Sequence, residues 1–432
     1  MRNVYLYLTV FFSISFSFNS FAENPLDTKL SEYVKKFNFR PVEIPAGKNI
    51  DLFLLGKALF FEKEVAGNRD ISCATCHHPD TFTGDGLPLP IGTGGKGLGL
   101  ERVQVGNADI VPRNSPPLYN VGHRDINKAF WDARVRYNER AEVFTTPEPA
   151  LNGDYPLAYE ITDQLGHAID AQALFPPTSH IEMRGAKGEN ELADAKSNLD
   201  VWSLIMKRLL SQQKYRDLFK AAYPNSEKLN IGHFGKALGH FQTHEFSVTM
   251  TPWDQYLRGD KSALSVKEKR GALVFVERGR CVLCHQGRLL GGNVLMGVAS
   301  PQTGPGVDIR KNDQGVFEAT GVERHQYLFK TPMLRNVALT APYFHSGVYK
   351  TLKEVINHYD GGVKSLDKYD SSWLREFTGR NYKNALFVET DRYKIFRKKE
   401  SAHPILRSRG IRMTEMEKSD LLKFLEQSLT EK

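Results

Sequence analysis

The four cysteines of this 432-residue chain fall into two pairs, each followed at once by a histidine: Cys73-Ala-Thr-Cys76-His77 and Cys281-Val-Leu-Cys284-His285. No cysteine is left over. Two thiols two residues apart reach the two vinyl groups of one porphyrin, and the adjacent histidine becomes an iron ligand. A four-cysteine zinc site or thioredoxin-like redox pairs would use the thiols alone, and neither needs a histidine after both pairs. The spacing therefore predicts two covalently bound haem c groups, with His77 and His285 as proximal ligands.

Attachment of this kind takes place outside the bacterial cytoplasm, and the N-terminus agrees. Residues 1–22 carry one charge, Arg2, then an apolar stretch from Val4 to Phe18, then small residues at Ser20 and Ala22. This reads as a signal peptide cleaved after Ala22. The rival, an uncleaved anchor, needs about 20 apolar residues. The reading predicts an exported, periplasmic protein with no stable membrane insertion. A composition of 41% hydrophobic and 25% charged residues is globular. The net charge of +8 comes from 58 basic residues interleaved with 50 acidic ones. That is a mild bias toward acidic partners, and without a dense Lys/Arg run it excludes nucleic acid.

Helical periodicity is expected over Ile50–Phe61, Glu189–Ala222, Phe234–Phe246, Ser265–Glu277, Thr351–Tyr359 and Thr414–Leu429. Ser265 and Glu268 form a capping box. Glu23–Asn49 reads as a polar opening segment, and Thr251–Lys261 as a connector between domains. Gly84–Pro117 and Gly291–Gly321 are loop. Residues 135–165 look like an inserted polar excursion. The expected fold is mainly α: two cytochrome c-like haem domains with long loops and little β structure. Residues 23–250 form the first and 251–432 the second, with a C-terminal segment packing back on the first. Each module runs helix, CxxCH, long loop, a weak internal repeat.

Several segments occur in one order: LGKALFFEKEVAGNRDISCATCH, DGLPLPIG, RNSPPLYN, FWDAR, AQALFPPTSHIEM, CVLCH, LFKTPMLRNVALTAPYFHSG and TLKEVINHYDGG. In this the chain resembles the bacterial dihaem cytochrome c peroxidase superfamily, which includes the MauG enzymes. The resemblance spans roughly residues 50–430. It implies that Trp131 lies between the two haems as an electron relay. It implies that Gln172, Pro176 and Glu182 form the distal pocket of the first haem, with Glu182 as the acid/base carboxylate. It also implies one calcium ion between the haems, held by Asn114 and by the carbonyls of Thr340 and Pro342. One amide and two carbonyls suit a hard cation that keeps several waters. A carboxylate of raised pKa in an apolar pocket can take a proton from one peroxide oxygen and return it to the other. Gln172 can only hold a bound oxygen. Taken alone, a lone Glu reads as surface charge, a Trp as core and Asn114 as a turn residue.

The chain departs from the pattern in two places. Members that need reductive activation carry a distal histidine where this chain has Thr93, a poor haem ligand. The first iron is therefore expected to be open, with His78, His123, His167 and His180 as the residues that could fill the gap. In the second module Tyr359 falls at the position of the MauG tyrosine ligand, and a tyrosinate stabilises ferric iron. His358 is its rival, but neighbouring helix positions point about 100° apart. Met296 and Met333 are weaker alternatives. His345 reads as a residue supporting the ligands. His233, His240 and His244 share a helix, and structural roles are expected for all three.

Three functions fit this pattern. The first is a periplasmic peroxidase reducing hydrogen peroxide to water, with electrons from a small cytochrome c or cupredoxin passed from the second haem to the first. The second is a MauG-like oxidase that uses peroxide to modify a partner protein. The third is an electron-transfer cytochrome, against which Gln172 and Glu182 argue. A homodimer is compatible with all three.

Overall fold

The computed structural model describes residues 24–307, 312–408 and 410–431. The signal-peptide reading lies outside them. In chain order the α-helices are α1 (Pro25–Lys36), α2 (Ile50–Phe60), α3 (Cys73–Cys76), α4 (Tyr159–Thr162), α5 (Ala168–Gln172), α6 (Asn198–Ser211), α7 (Gln213–Ala222) and α8 (Ile231–Glu245). There follow α9 (Pro252–Leu257), α10 (Val266–Val276), α11 (Val316–Thr320), α12 (Leu352–Gly361), α13 (Arg392–Ser401), α14 (Pro404–Ser408) and α15 (Glu415–Lys423). Strand structure is slight. β1 (Lys128–Ala129), β2 (Val135–Asn138) and β3 (Val143–Thr145) form an antiparallel sheet in that order, and β4 (Leu295–Met296) pairs with β5 (Phe329–Lys330). The sheet of β1–β3 is the base of the polar excursion; it sends Val135 and Phe144 into the first core.

Two cores correspond to the two motifs. The first gathers the apolar faces of α2, α5, α6, α7 and α8 around Leu55, Phe60, Trp202, Phe219 and Phe241. Here α2 lies directly on α8. A Cβ at Gly56 would sit 2.1 Å from the Ala237 carbonyl oxygen, so only glycine permits that approach. The second core packs α1, α9, α10 and α15 around Leu30, Trp253, Tyr256, Phe275 and Phe424. The expected capping box at Ser265 and Glu268 starts α10.

Two segments differ from expectation, and in both the cause is a long-range polar contact. The opening segment contains α1, capped by Asn24, and α1 packs on the second core rather than the first. Its buried Asp27 accepts from the Lys269 ammonium at 2.8 Å and from the Tyr256 hydroxyl at 3.0 Å. The supposed connector 251–261 contains the buried helix α9. Asp254, 0% exposed, takes two hydrogen bonds from Arg335 and one from the Val42 backbone. Losing one member of such a buried pair costs about 3–5 kcal/mol. A C-terminal segment does return to the first half. Leu374, Phe377 and Tyr382 cover Leu87, Leu89 and Ile91, and the Tyr382 hydroxyl donates to the Leu89 carbonyl at 2.6 Å.

This returning segment buries Asp85, which is 1% exposed. One carboxylate oxygen accepts from the Leu87 N–H; the other has no partner. Burial pushes the carboxyl up from 3.8 to about 7. The folded protein thus holds this proton more tightly than the unfolded chain. The contribution to stability is full below about pH 4 and is lost as pH rises through about 7. Asp85→Asn keeps the Leu87 contact, so its Tm relative to the parent is expected to rise between pH 5 and pH 8. Thermal melts at the two pH values test this, and equal shifts at both would reject the buried carboxylate as the cause.

Candidate functional site

Each CxxCH motif opens onto its own cavity, one of about 920 Å³ and one of about 1310 Å³. Cys73, Cys76 and His77 line the first; Cys281, Cys284 and His285 line the second. The pairs are therefore apart, which excludes a shared four-cysteine zinc site. All four cysteines are unpaired. Burial pushes the Cys73 and Cys281 thiols up to about 12, the reverse of the lowered values that redox pairs need.

The histidines are set the same way in both cavities. His77 donates Nδ1–H to the Thr83 carbonyl and His285 donates Nδ1–H to the Leu290 carbonyl, both at 2.9 Å. That leaves Nε2 with its lone pair, the arrangement of a metal-bound imidazole oriented from behind. Burial lowers the pKa of both rings and keeps them neutral. Two thiols, one oriented imidazole and a large cavity fit a covalently held haem in each module.

Gln172, Pro176 and Glu182 line the first cavity together with that motif. Gln172 ends α5, and Pro176 begins the following turn. Glu182 lies in a π-helical turn, His180–Arg184, an element common at functional sites. The DGLPLPIG segment presses on this turn. Thr93 N–H donates to the Glu182 carbonyl at 2.8 Å, and a Cβ at Gly92 would be 1.7 Å from the Ile181 oxygen. Burial raises the Glu182 carboxyl above the usual range, partly offset by Arg134 and Arg113.

The Thr93 hydroxyl points elsewhere, donating to Asp70 at 2.8 Å, and Thr93 does not line the cavity. The four histidines that could have replaced it do not line it either. Nδ1 of His78, of His123 and of His167 each accepts a nearby backbone N–H, while His180 pairs with the Gly185 carbonyl.

In the second cavity Tyr359 faces inward and His358 does not. His358 is spent on other partners: Nε2–H donates to the Val298 carbonyl at 2.7 Å, and Nδ1 accepts from the Tyr349 and Ser365 hydroxyls. Burial pushes the free Tyr359 phenol up. Met296 also lines this cavity, and Met333 lies in the space between the two. His345 is buried against the second cavity, stacked on Phe329 at 3.6 Å.

Trp131 stands between the cavities. It lines the second, and its indole N–H donates at 2.8 Å to the carbonyl of Asn114, which lines the first. Its loop is strained, with positive φ at Phe130 (66°) and Ala133 (52°). Ion pairs hold it: Asp132 binds Arg113 at 2.5 Å and Arg134 at 3.1 Å, and Arg113 also grips Asp313 through two hydrogen bonds. Sequence reasoning assigned no role to Arg113, Asp132 or Asp313, although the first two stand inside the quoted RNSPPLYN and FWDAR segments. It also passed over His403, a second-cavity residue outside every motif.

The structure brings Asn114 beside the 340–345 segment. Its backbone N–H donates to the His345 carbonyl at 2.7 Å, and its side-chain nitrogen to the Leu87 carbonyl at 2.9 Å. Thr340 and Pro342 line neither cavity, and the Thr340 hydroxyl donates to Val337. His233, His240 and His244 lie on α8, where His233 caps with Asn230 and His240 bonds the Asn49 backbone. Among the described residues no cluster of three His, Cys, Asp or Glu is placed to hold a metal ion.

The family model described as di-haem cytochrome c peroxidase matches residues 51–262. The chain is 28% identical to cytochrome c551 peroxidase of Pseudomonas aeruginosa over 303 residues, 70% of this chain and 69% of that protein. It is 28% identical to the methylamine utilization protein MauG of Methylorubrum extorquens over 330 residues, 75% and 74% of the two chains. In fold it is similar to the diheme peroxidase BthA from Burkholderia thailandensis, with a TM-score of 0.59 at 18% identity over 90% of this chain and 89% of that one. A MauG-like protein associated with microbial copper homeostasis gives a TM-score of 0.56 at 22% identity over 91% and 94%.

The orientation of Tyr359 has a direct spectroscopic consequence. Tyr359→Phe is expected to change the absorbance of the haem in the second cavity and to leave that of the first unchanged. Parent spectra for both would remove Tyr359 from the ligand set.

Proposed function

We propose that this chain, whose residues 51–262 match the family model described as di-haem cytochrome c peroxidase, is a peroxidase-type oxidoreductase that holds two haem c groups and reduces hydrogen peroxide to water in the first cavity. The overall change takes two electrons and two protons per peroxide and yields two waters. The haems, when bound through the two motifs, supply the iron at which oxygen is reduced and the redox couple by which electrons arrive. Everything else is the work of side chains. Glu182 takes the proton from the near peroxide oxygen and returns it to the far one, so that water leaves. Its raised pKa suits both halves of that transfer. Gln172 orients the bound oxygen by hydrogen bonding, and Pro176 narrows the space around it. Trp131, tied by hydrogen bond to Asn114, carries electrons from the second cavity to the first.

One observation carries this reading: Glu182, Gln172 and Pro176 converge on the cavity of Cys73, Cys76 and His77, and that cavity has no second histidine in its wall. The electrons come from a small redox protein, and the signal-peptide reading of residues 1–22 supports an exported location. No helix among the described residues is long and apolar enough to cross a membrane. A second reading, a MauG-like oxidase acting on a partner protein, is favoured by Tyr359 facing the second cavity. A calcium ion beside Asn114, coordinated by that side chain and by the Thr340 and Pro342 carbonyls, would tie the two modules together.

Glu182→Gln is expected to keep both haems attached and to slow peroxide cleavage by about 10²–10⁴-fold in rapid-mixing kinetics. A parent-like rate would reject the acid/base role. Chelation of calcium is expected to lower turnover without releasing either haem, with recovery on adding the ion back. Turnover indifferent to chelator would exclude a working ion.

A further inference from the structure

The positive charge that looks interleaved over the whole chain is concentrated in one stretch. Residues 392–412 hold eight Lys or Arg and one Glu, a net of +7, against +8 for the entire chain. Its described part comprises α13, α14 and residues 410–412. Its outer side exposes Arg392, Arg407 and Arg412. Tyr393 and Phe396, three residues apart on one helix face, are 66% and 55% exposed. Other cations are tied to the rim, Lys399 to Asp367 and Lys394 to Glu389. Exposed aromatics and Arg residues within one segment have the composition of a protein-binding surface, in which both are enriched.

The inner side of the same stretch is the wall of the second cavity. His403, Ile405, Leu406, Ile411 and Met413 line it. Ile395, Ala402 and Leu406 pack in one cluster with Val298, Leu366 and Tyr359. The attachment to the Tyr359 helix is close. The Ile411 N–H donates to the Asp360 carbonyl, the Met413 N–H donates to the Asp360 carboxylate, and a Cβ at Gly410 would lie 2.1 Å from the Asp360 oxygen. The segment 403–411 thus borders the second cavity directly, and α13 joins the cluster around Tyr359 through Ile395.

We propose that the exposed face of residues 392–412 is the docking surface for an acidic redox protein, which delivers electrons to the second cavity. This rests on the reading that electrons enter there. The partner presents carboxylates to Arg392, Arg407 and Arg412 and an apolar centre to Tyr393 and Phe396. One electron passes per encounter, oxidising the partner and reducing the second haem. Charge pairing of this kind acts mainly on the association rate and fades with salt.

The test uses the holoprotein without peroxide, so that electron uptake is measured by itself. The probes are reduced plastocyanin, an acidic copper protein, and reduced mitochondrial cytochrome c, a basic one. Reduction of the second haem is followed by stopped-flow absorbance. The parent is expected to react faster with plastocyanin, at a rate that falls as salt rises. The triple variant R392E/R407E/R412E is expected to lose about tenfold or more at low salt, together with its salt dependence. Y393S/F396S is expected to weaken the encounter at every salt concentration. Reduction by hydroquinone, a small neutral donor, should be the same in all three proteins and so reports an intact haem. Unchanged plastocyanin rates in the triple variant, or preference for the basic cytochrome, would overturn the proposal. So would loss of binding to phosphatidylglycerol vesicles with electron uptake unaffected, which would assign the face to an anionic membrane. If hydroquinone-reduced protein fails to consume peroxide while the docking rates behave as expected, the peroxidase reading falls and the docking surface stands.

Discussion

Arg113 holds the wall between the two cavities together. It lies 9% exposed, with one arm on Asp132 and a two-pronged grip on Asp313. Burying three charges is expensive, and only full hydrogen bonding offsets it. Here the geometry is close to complete: the Arg113 guanidinium holds Asp313 well below the usual carboxylate range, and Arg134 together with Arg113 holds Asp132 below it. Two rungs join the strands of this wall. Arg113 reaches Asp132, and Trp131 reaches back to the carbonyl of Asn114, the residue after Arg113. The strained backbone at Phe130 and Ala133 persists because these contacts over-determine it. Asp313 comes from the second half of the chain, so the same guanidinium also fixes one module against the other.

The two cavities differ in polarity, and the difference fits the proposed division of work. The first is bordered by Arg113, Asn114, Gln172, Glu182 and Gln242. The second is walled mainly by apolar side chains such as Phe275, Val298, Leu352, Ile356 and Leu406, with Arg280, Lys330, Tyr343, His345, Tyr359 and His403 among its polar ones. Burial pulls the His345 imidazole down to about 3, so it stays neutral there. Proton transfer needs a titratable group at the reacting atoms, and the first cavity has one. A dry wall suits electron transfer, since little solvent reorganises. The asymmetry favours the order of events in which electrons enter at the second cavity and protons move at the first.

What could be read from the sequence follows the range of the interactions involved. CxxCH is a local motif, and its geometry depends on five residues, so both candidate sites could be picked out, and each lines a cavity. The capping boxes at Ser265, Thr351 and Thr414 are equally local, and each starts a helix. Glu182 was legible only through the order of many segments, because a lone carboxylate carries no signal of the turn that buries it. Helix α1 and the burial of α9 were not legible. Asp27 meets Lys269 across 242 residues, and Asp254 meets Arg335 across 81. Helix α13 was hidden for another reason. Its sequence RYKIFRKKES has no apolar stripe, and it is held by Ile395, by the buried Lys398 and by the chain that follows it.

That last case joins the surface to the site. A helix with so little apolar area gains little from burial, so hydrophobic packing is a weak reason for this composition. Apart from the buried Lys398, its cations lie on the outside of a segment whose inner residues reach the cluster around Tyr359. Self-repulsion among its cations works against the folded state, and only part of it is relieved by the pairs with Asp367, Glu389 and Glu323. A negatively charged partner removes the remainder on contact. On the proposed docking, the charge that weakens this element in isolation becomes a driving force for association at a wall of the second cavity.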